Sequence, residues 1–351
     1  MSDLTICHII AGAPHGGAET FCLDTIIALD ERRVKQIVIS RPHQNYLRVV
    51  HARNIPHHPL SFSRPWKWYE TRRIKRIITE TKPDLVHAWM ARANSFIPPA
   101  TTPPVLGWFG GYYQLKNYRH ANFYMGVTRD IVRHISEATG TPDRVYLGHT
   151  FGTLAHSPPV ARDQFSLPHD MPLVLLLSRM HEKKGVDVLL AAAKNLPNVC
   201  FLLAGDGPRL AQYQSLAKQL GVAGRVCFAG WRDDRAALLD IADVCVLPSR
   251  YEPFGTVIAE AWSAGVPLVA TRAAGAVQYV THDQNGLLSD IDDVVALTKN
   301  IKRATSDKAL QGRLVAGGKK TYGRLFDKEV VMKQLLASYS DMIARHKASH
   351  A

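Results

Sequence analysis

The chain has 351 residues, enough for two domains with separate cores, and its 46% hydrophobic and 21% charged residues exclude a disordered or fibrous protein. The formal net charge of +13 calls for an anionic partner: nucleic acid, anionic lipid or a phosphorylated substrate. No apolar run is long enough to span a bilayer, and the start MSDLTICHII lacks the basic and apolar regions of a signal peptide, so a cytosolic protein is expected.

In chain order, a first strand is expected at 5–10, then the loop 11–17 (AGAPHGG) and a helix over 18–29. Further strands are expected at 36–40, 84–89, 105–109, 123–128 and 144–148, with a basic, aromatic helical stretch at 61–82 and a helix over 130–139. Residues 149–172 are rich in Pro, His, Ser and Asp and read as a domain boundary. The second half alternates more cleanly. Strands are expected at 173–178, 199–204, 225–229, 243–247, 266–270 and 286–288. The helices between and after them are expected at 185–196, 208–220, 233–241, 256–264, 292–304 and 307–322. The last segment, 327–346, has apolar residues at Val331, Leu335, Tyr339 and Met342, the stripe of an amphipathic helix capped by Asp327. Such βαβ alternation implies an α/β protein with two doubly wound, Rossmann-like parallel sheets, and the natural ligand site is a cleft between the two domains.

The stretch 243–271 concentrates the chemistry. It reads strand, loop, helix, turn, strand, with Thr256 as helix N-cap and Gly265 as terminator. Ligands of open α/β sheets bind outside the carboxyl ends of strands, where Phe254, Gly255, Thr256 and Val257 would offer backbone N–H groups to an anion. Glu252 in the loop and Glu260 one turn into the helix want hydroxyl donors instead. A sugar nucleotide satisfies both demands.

Other loops could contribute. SRMHEKKG follows a strand, and its Arg179 and Lys184 suit a diphosphate, although such a run can also be a solvated charged loop. Gly205 in LAGDGP makes a tight turn, as simple connector or as ligand contact. Trp231 and Arg232 follow a strand and could meet a nucleobase, or Trp231 could be core. Gly16 and Gly17 stand at the first strand-to-helix junction, where a glycine loop can approach phosphate, but without the G-x-G-x-x-G spacing of a dinucleotide site.

Between residues 62 and 76 the basic residues Arg64, Lys67, Arg72, Arg73, Lys75 and Arg76 face one acid, Glu70. Trp66, Trp68 and Tyr69 are interleaved, a composition suited to an anionic membrane surface and otherwise to a solvated helix. The five cysteines form no C-x-x-C pair and four lie in strand-like runs, so buried thiols are expected. No histidine has zinc spacing; His43, His57 and His58 read as loop residues, and His87 as a structural histidine at a strand end.

These residues together resemble the retaining glycosyltransferases of family 4, which have the GT-B fold. Glu252-x7-Glu260 is similar to that family's E-x7-E motif, Arg179 and Lys184 to its diphosphate-binding pair, and Gly16 and Gly17 to its N-terminal glycine loop. The resemblance implies an acceptor-binding domain at 1–152, a donor-binding domain at 153–325 and a helix at 326–351 that crosses back to the first domain. It implies that Glu252 approaches the donor sugar and Glu260 binds the ribose hydroxyls. The run 110–128 is similar to enzymes of bacterial envelope polysaccharide or lipopolysaccharide assembly. One departure stands out: Gly110 takes the place of a histidine found in many members, with Tyr112, Tyr113, Lys116 or His87 as candidates to fill in.

The function so implied is metal-independent, retaining transfer of a hexosyl group from a nucleoside-diphosphate sugar, by family frequency a UDP-sugar. The acceptor would be a lipid-linked saccharide or glycolipid at the inner face of the plasma membrane. No D-x-D loop presents a metal site, and no other cofactor is called for. Two alternatives remain open: a sugar-nucleotide 2-epimerase of the same fold, and a basic nucleic-acid-binding protein. Against the latter, no helix-turn-helix, RRM or zinc pattern occurs, and no nucleic-acid partner is expected.

Overall fold

The computed structural model describes residues 4–14, 16–152, 154 and 157–350. They form two compact units, one from Met1–Phe151 with Lys328–Ala351, the other Gly152–Asp327. Of the segments discussed above, Met1–Asp3, His15 and, in the boundary region, Thr153, Ala155 and His156 lie outside the described residues.

The first unit is built on a parallel sheet of β1 (Thr5–Ile10), β2 (Lys35–Ser40), β3 (His57–Pro59), β4 (Leu85–Trp89), β5 (Val105–Phe109), β6 (Phe123–Gly126) and β7 (Val145–Leu147). The spatial order is β3-β2-β1-β4-β5-β6-β7, a doubly wound sheet whose order reverses between β1 and β4. Its central strands are continuous apolar runs because helices cover both faces: all five residues of β4 and of β5 are buried. The helix Lys67–Thr81 contributes Ile74, Ile77 and Ile78 to the core, where they meet Ile9, Ile39 and Val86. Burying each such side chain stabilises by about 1.5–3 kcal/mol.

The terminal helix Lys328–Ala348 belongs to this unit and buries the stripe Val331, Leu335, Tyr339 and Met342. Tyr339 Oη shares a 2.7 Å hydrogen bond with His87 Nδ1 on β4. Arg345 reaches Asp143 at 2.8 Å and Glu329 reaches Arg32 at 2.5 Å, so both ends of the helix are fastened.

The second unit repeats the plan with β8 (Leu173–Leu177), β9 (Cys200–Ala204), β10 (Val226–Gly230), β11 (Val244–Leu247), β12 (Leu268–Thr271) and β13 (Leu287–Ser289). All pairings are parallel in the order β10-β9-β8-β11-β12-β13, reversing between β8 and β11. Its core is aliphatic, with Leu176, Leu203, Val246 and Val269 of the sheet packed on Leu189, Leu190 and Ile301 of helices.

Several local expectations are corrected. His57 and His58 are not loop residues: they form the edge strand β3, and His57 Nε2 hydrogen-bonds Ser40 Oγ at 2.9 Å. The basic helix begins at Lys67 rather than 61, because Glu70 Oε1 and Oε2 accept hydrogen bonds from Ser61, Phe62 and Ser63 and hold that segment as a loop. The helices Gln44–Ala52 and Met90–Asn94 follow strands without strong caps. Thr256 is not the N-cap of its helix; Gly255 is, with φ +82°. All five cysteines are free; Cys7, Cys200, Cys227 and Cys245 lie in strands, and burial pushes the Cys7 thiol up to about 12.

Candidate functional site

The reversal of strand order between β8 and β11 opens a crevice at their carboxyl ends, and two loops fill its rim: 178–185 after β8 and 248–255 after β11. Main-chain hydrogen bonds join them, from the amides of Arg250 and Tyr251 to Lys183 O at 2.9 and 3.1 Å. The Arg250 guanidinium reinforces the joint. It donates to Asp187 at 2.6 and 2.9 Å, to Asp292 at 2.7 Å and to Glu182 O at 2.8 Å. Burial raises the Asp187 carboxyl, but the Arg250 bonds outweigh it and the net shift is downward. Gly185 has φ +63°, and a Cβ there would stand 2.0 Å from Pro248 O. Only glycine lets the two loops meet this closely.

That junction places Lys184 against Glu252, with Nζ to Oε2 2.6 Å and both side chains mostly buried. Ser249 Oγ lies 3.5 Å from the same oxygen. The Glu252 carbonyl accepts from Gly275 N at 2.7 Å, and a Cβ on Gly275 would fall within 2.7 Å of backbone atoms of Glu252 and Phe254. Gly275, after β12, thus sets the height of the loop. Phe254 is buried against Tyr279 and Phe326, which fixes the chain just before the helix Thr256–Ala264. No side chain caps that helix, so its first amides, Thr256 and Val257 among them, remain for solvent or a ligand.

Glu260, one turn on, is 2% exposed. Its Oε1 is ion-paired with Arg235, while Oε2 is buried without a hydrogen-bond partner among the described residues. Burial raises its carboxyl pKa and Arg235 opposes the shift. An acceptor oxygen left open in this way suits a hydroxyl donor.

The remaining sites are placed as follows. Arg179 is exposed at the end of β8, and its guanidinium makes no ion pair among the described residues. Gly205 has φ +148°, and a Cβ on it would stand 1.9 Å from Ser178 O, so this glycine serves close packing of the two loops. Trp231 is exposed and donates to Asp233 at 2.9 Å; Arg232 is ion-paired with Asp234 and sits over the Phe165 ring. Trp231 is therefore not core, and Arg232 is engaged by its own loop.

In the first unit Gly16 caps the helix Gly17–Glu31, and a side chain on Gly12 or Gly16 would collide with Glu19. Glu19 Oε1 also accepts from Ala13 N at 3.0 Å, so this acid shapes the glycine loop. Gly17 is open, with nothing near its absent Cβ. His87 is buried inside β4, stacked on Trp89 with ring centres 4.0 Å apart and bonded to Tyr339, as a structural histidine. Gly110 lies over the Trp108 ring, 2.6 Å from where its Cβ would be, which leaves no room for a histidine. Tyr112 is bonded to Asp130.

Along the helix Lys67–Thr81, Trp66 and Trp68 are each 66% exposed and Tyr69 57%. Arg72 stacks on Trp68 at 3.7 Å. Arg64, Lys67, Lys75 and Arg76 are exposed and Arg73 is half-buried; of the helix's two acids, Glu70 is buried under its own loop and Glu80 is exposed and ion-paired with Arg76. The outward face is therefore predominantly basic, with Glu80 as its exposed acid. No described helix is long and apolar enough to cross a membrane, and no described trio of His, Cys, Asp or Glu could hold a metal ion.

Comparisons with known proteins agree with this layout. Residues 15–150 match the family model "Glycosyltransferase Family 4" and residues 159–321 match "Glycosyl transferases group 1". The chain is 31% identical to the lipopolysaccharide core biosynthesis glycosyltransferase LpsD of Rhizobium meliloti (strain 1021), over 97% of this chain and 100% of that one. To LpsE of the same organism it is 33% identical, over 92% and 96%. A crystal structure of Anabaena Alr3699/HepE in complex with UDP-glucose superimposes with TM-score 0.83 at 21% identity, over 96% of this chain and 100% of that one. Two doubly wound sheets, a glutamate pair around a helix start that no side chain caps, and matches spanning both units lead to one conclusion: the chain is a glycosyltransferase of family 4, with the GT-B fold.

Proposed function

We propose that the enzyme transfers a hexosyl group, with retention at C1, from a UDP-sugar to a hydroxyl of a lipopolysaccharide-core precursor. The observation that carries this reading is the Lys184–Glu252 pair, 2.6 Å apart beside an uncapped helix start. Each partner currently satisfies the other. A donor exchanges that contact for two better ones: diphosphate oxygens on Lys184, Arg179 and the Thr256–Val257 amides, and sugar hydroxyls on Glu252. Glu260 takes the ribose hydroxyls on its open oxygen.

The chemical step breaks the bond between C1 and the diphosphate oxygen and forms one from C1 to the acceptor oxygen, whose proton passes to the departing phosphate. Negative charge grows on that phosphate, and fixed cations and amides stabilise it without reorganisation. Glu252 positions hydroxyls and tolerates the positive ring; it is not a covalent nucleophile. Side chains and the helix start supply the positive charge that faces the anionic leaving group, so the reaction is proposed to need no metal. The names of the Rhizobium relatives support the core-saccharide acceptor, and the UDP-glucose complex of the structural neighbour supports the donor class. The basic, tryptophan-bearing face of Lys67–Thr81 supports work on the cytoplasmic surface of an anionic membrane.

A thermal-shift panel of UDP-, GDP- and ADP-sugars tests the donor. The true donor raises Tm by mass action, because it binds only the folded state. Glu252→Ala is expected to lower kcat by about 10²–10³-fold, the scale of a lost charge-positioning contact. Near-normal turnover in that variant, or no shift with any sugar nucleotide, contradicts the reading.

A further inference from the structure

The outward stripe of the helix Lys67–Thr81 does more than present charge. Thr71, Lys75, Thr79 and Lys82 follow one another at three- to four-residue spacing along a single face. Opposite them runs the segment 98–104, PPATTPP, whose four prolines make a stiff wall. Two concavities lie between helix and wall and share Lys75. One, of about 640 Å³, is bordered by Arg64, Lys67, Trp68, Arg72 and Pro98. The other, of about 920 Å³, has Ile78, Pro103, Pro104 and Ile343 in its floor and Lys75, Lys82 and Lys347 on its rim.

The single acid lining them, Asp84, is turned to its own backbone contact, accepting from Thr5 N at 2.9 Å. The far end is closed by the terminal helix, where His346 Nε2 bonds Thr102 O at 3.0 Å. An apolar channel whose rim carries several lysines against one engaged acid is complementary to one class of molecule, an anionic amphiphile. Its position continues the Trp66–Trp68 face, so a lipid reaching it comes from the surface that face would touch.

We propose that this groove seats one acyl chain of an anionic phospholipid, with its phosphate at Lys75 between the two concavities. The inference deepens the membrane-facing reading of the helix and is independent of the donor site. A seated chain differs from simple adsorption in two ways. Binding requires a chain as well as a charge, and it tightens with chain length, about fourfold for each buried methylene.

The test uses the full chain with lysophosphatidylglycerol as monomer, lysophosphatidylcholine of the same chain length, and glycerol phosphate as the headgroup alone. Native mass spectrometry reads binding, and sedimentation with phosphatidylglycerol vesicles is run in parallel. Wild type is expected to bind lysophosphatidylglycerol at least tenfold tighter than either control. Thr79→Trp fills the groove without changing charge, at an exposed residue whose hydroxyl bonds only Lys75 O of its own helix. It is expected to lose tenfold or more of lysolipid affinity and still sediment with vesicles. Lys75→Glu is expected to weaken both. Unchanged lysolipid binding by Thr79→Trp, or glycerol phosphate or lysophosphatidylcholine binding as tightly as lysophosphatidylglycerol, overturns the groove. Vesicle binding without lysolipid binding overturns the groove alone; lysolipid binding without vesicle binding overturns the membrane-facing reading alone.

Discussion

The two units share one strand order and use it differently. In the second, the switch point between β8 and β11 is kept polar: Lys184, Glu252 and an uncapped helix start stand over an aliphatic sheet. In the first, the sheet itself carries the polar groups. His8 and His87 face one another across β1 and β4, packed with Trp89, Phe21 and Trp108, and the terminal helix closes over them through Tyr339. A doubly wound sheet does not dictate where the polar groups go. In one copy they are at the loop rim, available to a ligand; in the other they are inside, stabilising a docked helix, and the charge has moved to an outer helix.

Acid should separate the units most strongly. Burial pushes the His8 imidazole down to about 3 and holds His87 well below the usual range, whereas in the unfolded chain both titrate near the ordinary value of 6.5. Below that value the unfolded state binds protons that the folded state refuses, so stability is complete above pH 6.5 and falls as pH drops, down to about 3 for His8. At pH 5 His8 should cost about 2 kcal/mol, and His87 acts in the same direction. Among the described residues no histidine of the second unit is buried. Calorimetry between pH 7 and 5 should therefore show the first unit's transition falling while the second holds; parallel movement of both would erase the contrast.

Gly185→Ala strikes the other side of the comparison. It puts a Cβ at positive φ against Pro248 O and should destabilise the second unit by about 3 kcal/mol in urea unfolding, with donor binding lost before global stability. A change under 0.5 kcal/mol would mean that the two loops do not depend on this close approach. Smaller again, Tyr339→Phe leaves His87 Nδ1 buried without its partner, at about 1–3 kcal/mol. That loss should appear in the first unit's transition only.

The comparison also marks what the sequence makes readable. Both parallel sheets were legible because apolar runs alternate with helical periods, and the terminal helix because Val331, Leu335, Tyr339 and Met342 recur at its spacing. Lys184 and Glu252 could be placed at strand carboxyl ends from the sequence because their loops follow apolar strand runs. What escaped depends on contacts between distant residues. Gly275 looks like any loop glycine until its neighbour proves to be the Glu252 carbonyl. Arg250 reads as a surface charge, yet it ties Asp187 and Asp292 to the loop. Glu19 carries no signature of the glycine loop it shapes, and the edge strand β3 is three residues long with two histidines. The chain from 98 to 104 received no reading from its sequence, and its role as a wall depends on lying opposite Lys75 and Thr79.

In the proposed function the second unit grips a pyrophosphate with Arg179, Lys184 and a helix start. Calorimetric titration of UDP and of uridine into wild type, Arg179→Ala and Lys184→Ala tests it most directly. UDP affinity is expected to fall at least tenfold in each variant while uridine affinity is unchanged, since uridine has no phosphate to hold. Equal UDP affinity in all three proteins would contradict it.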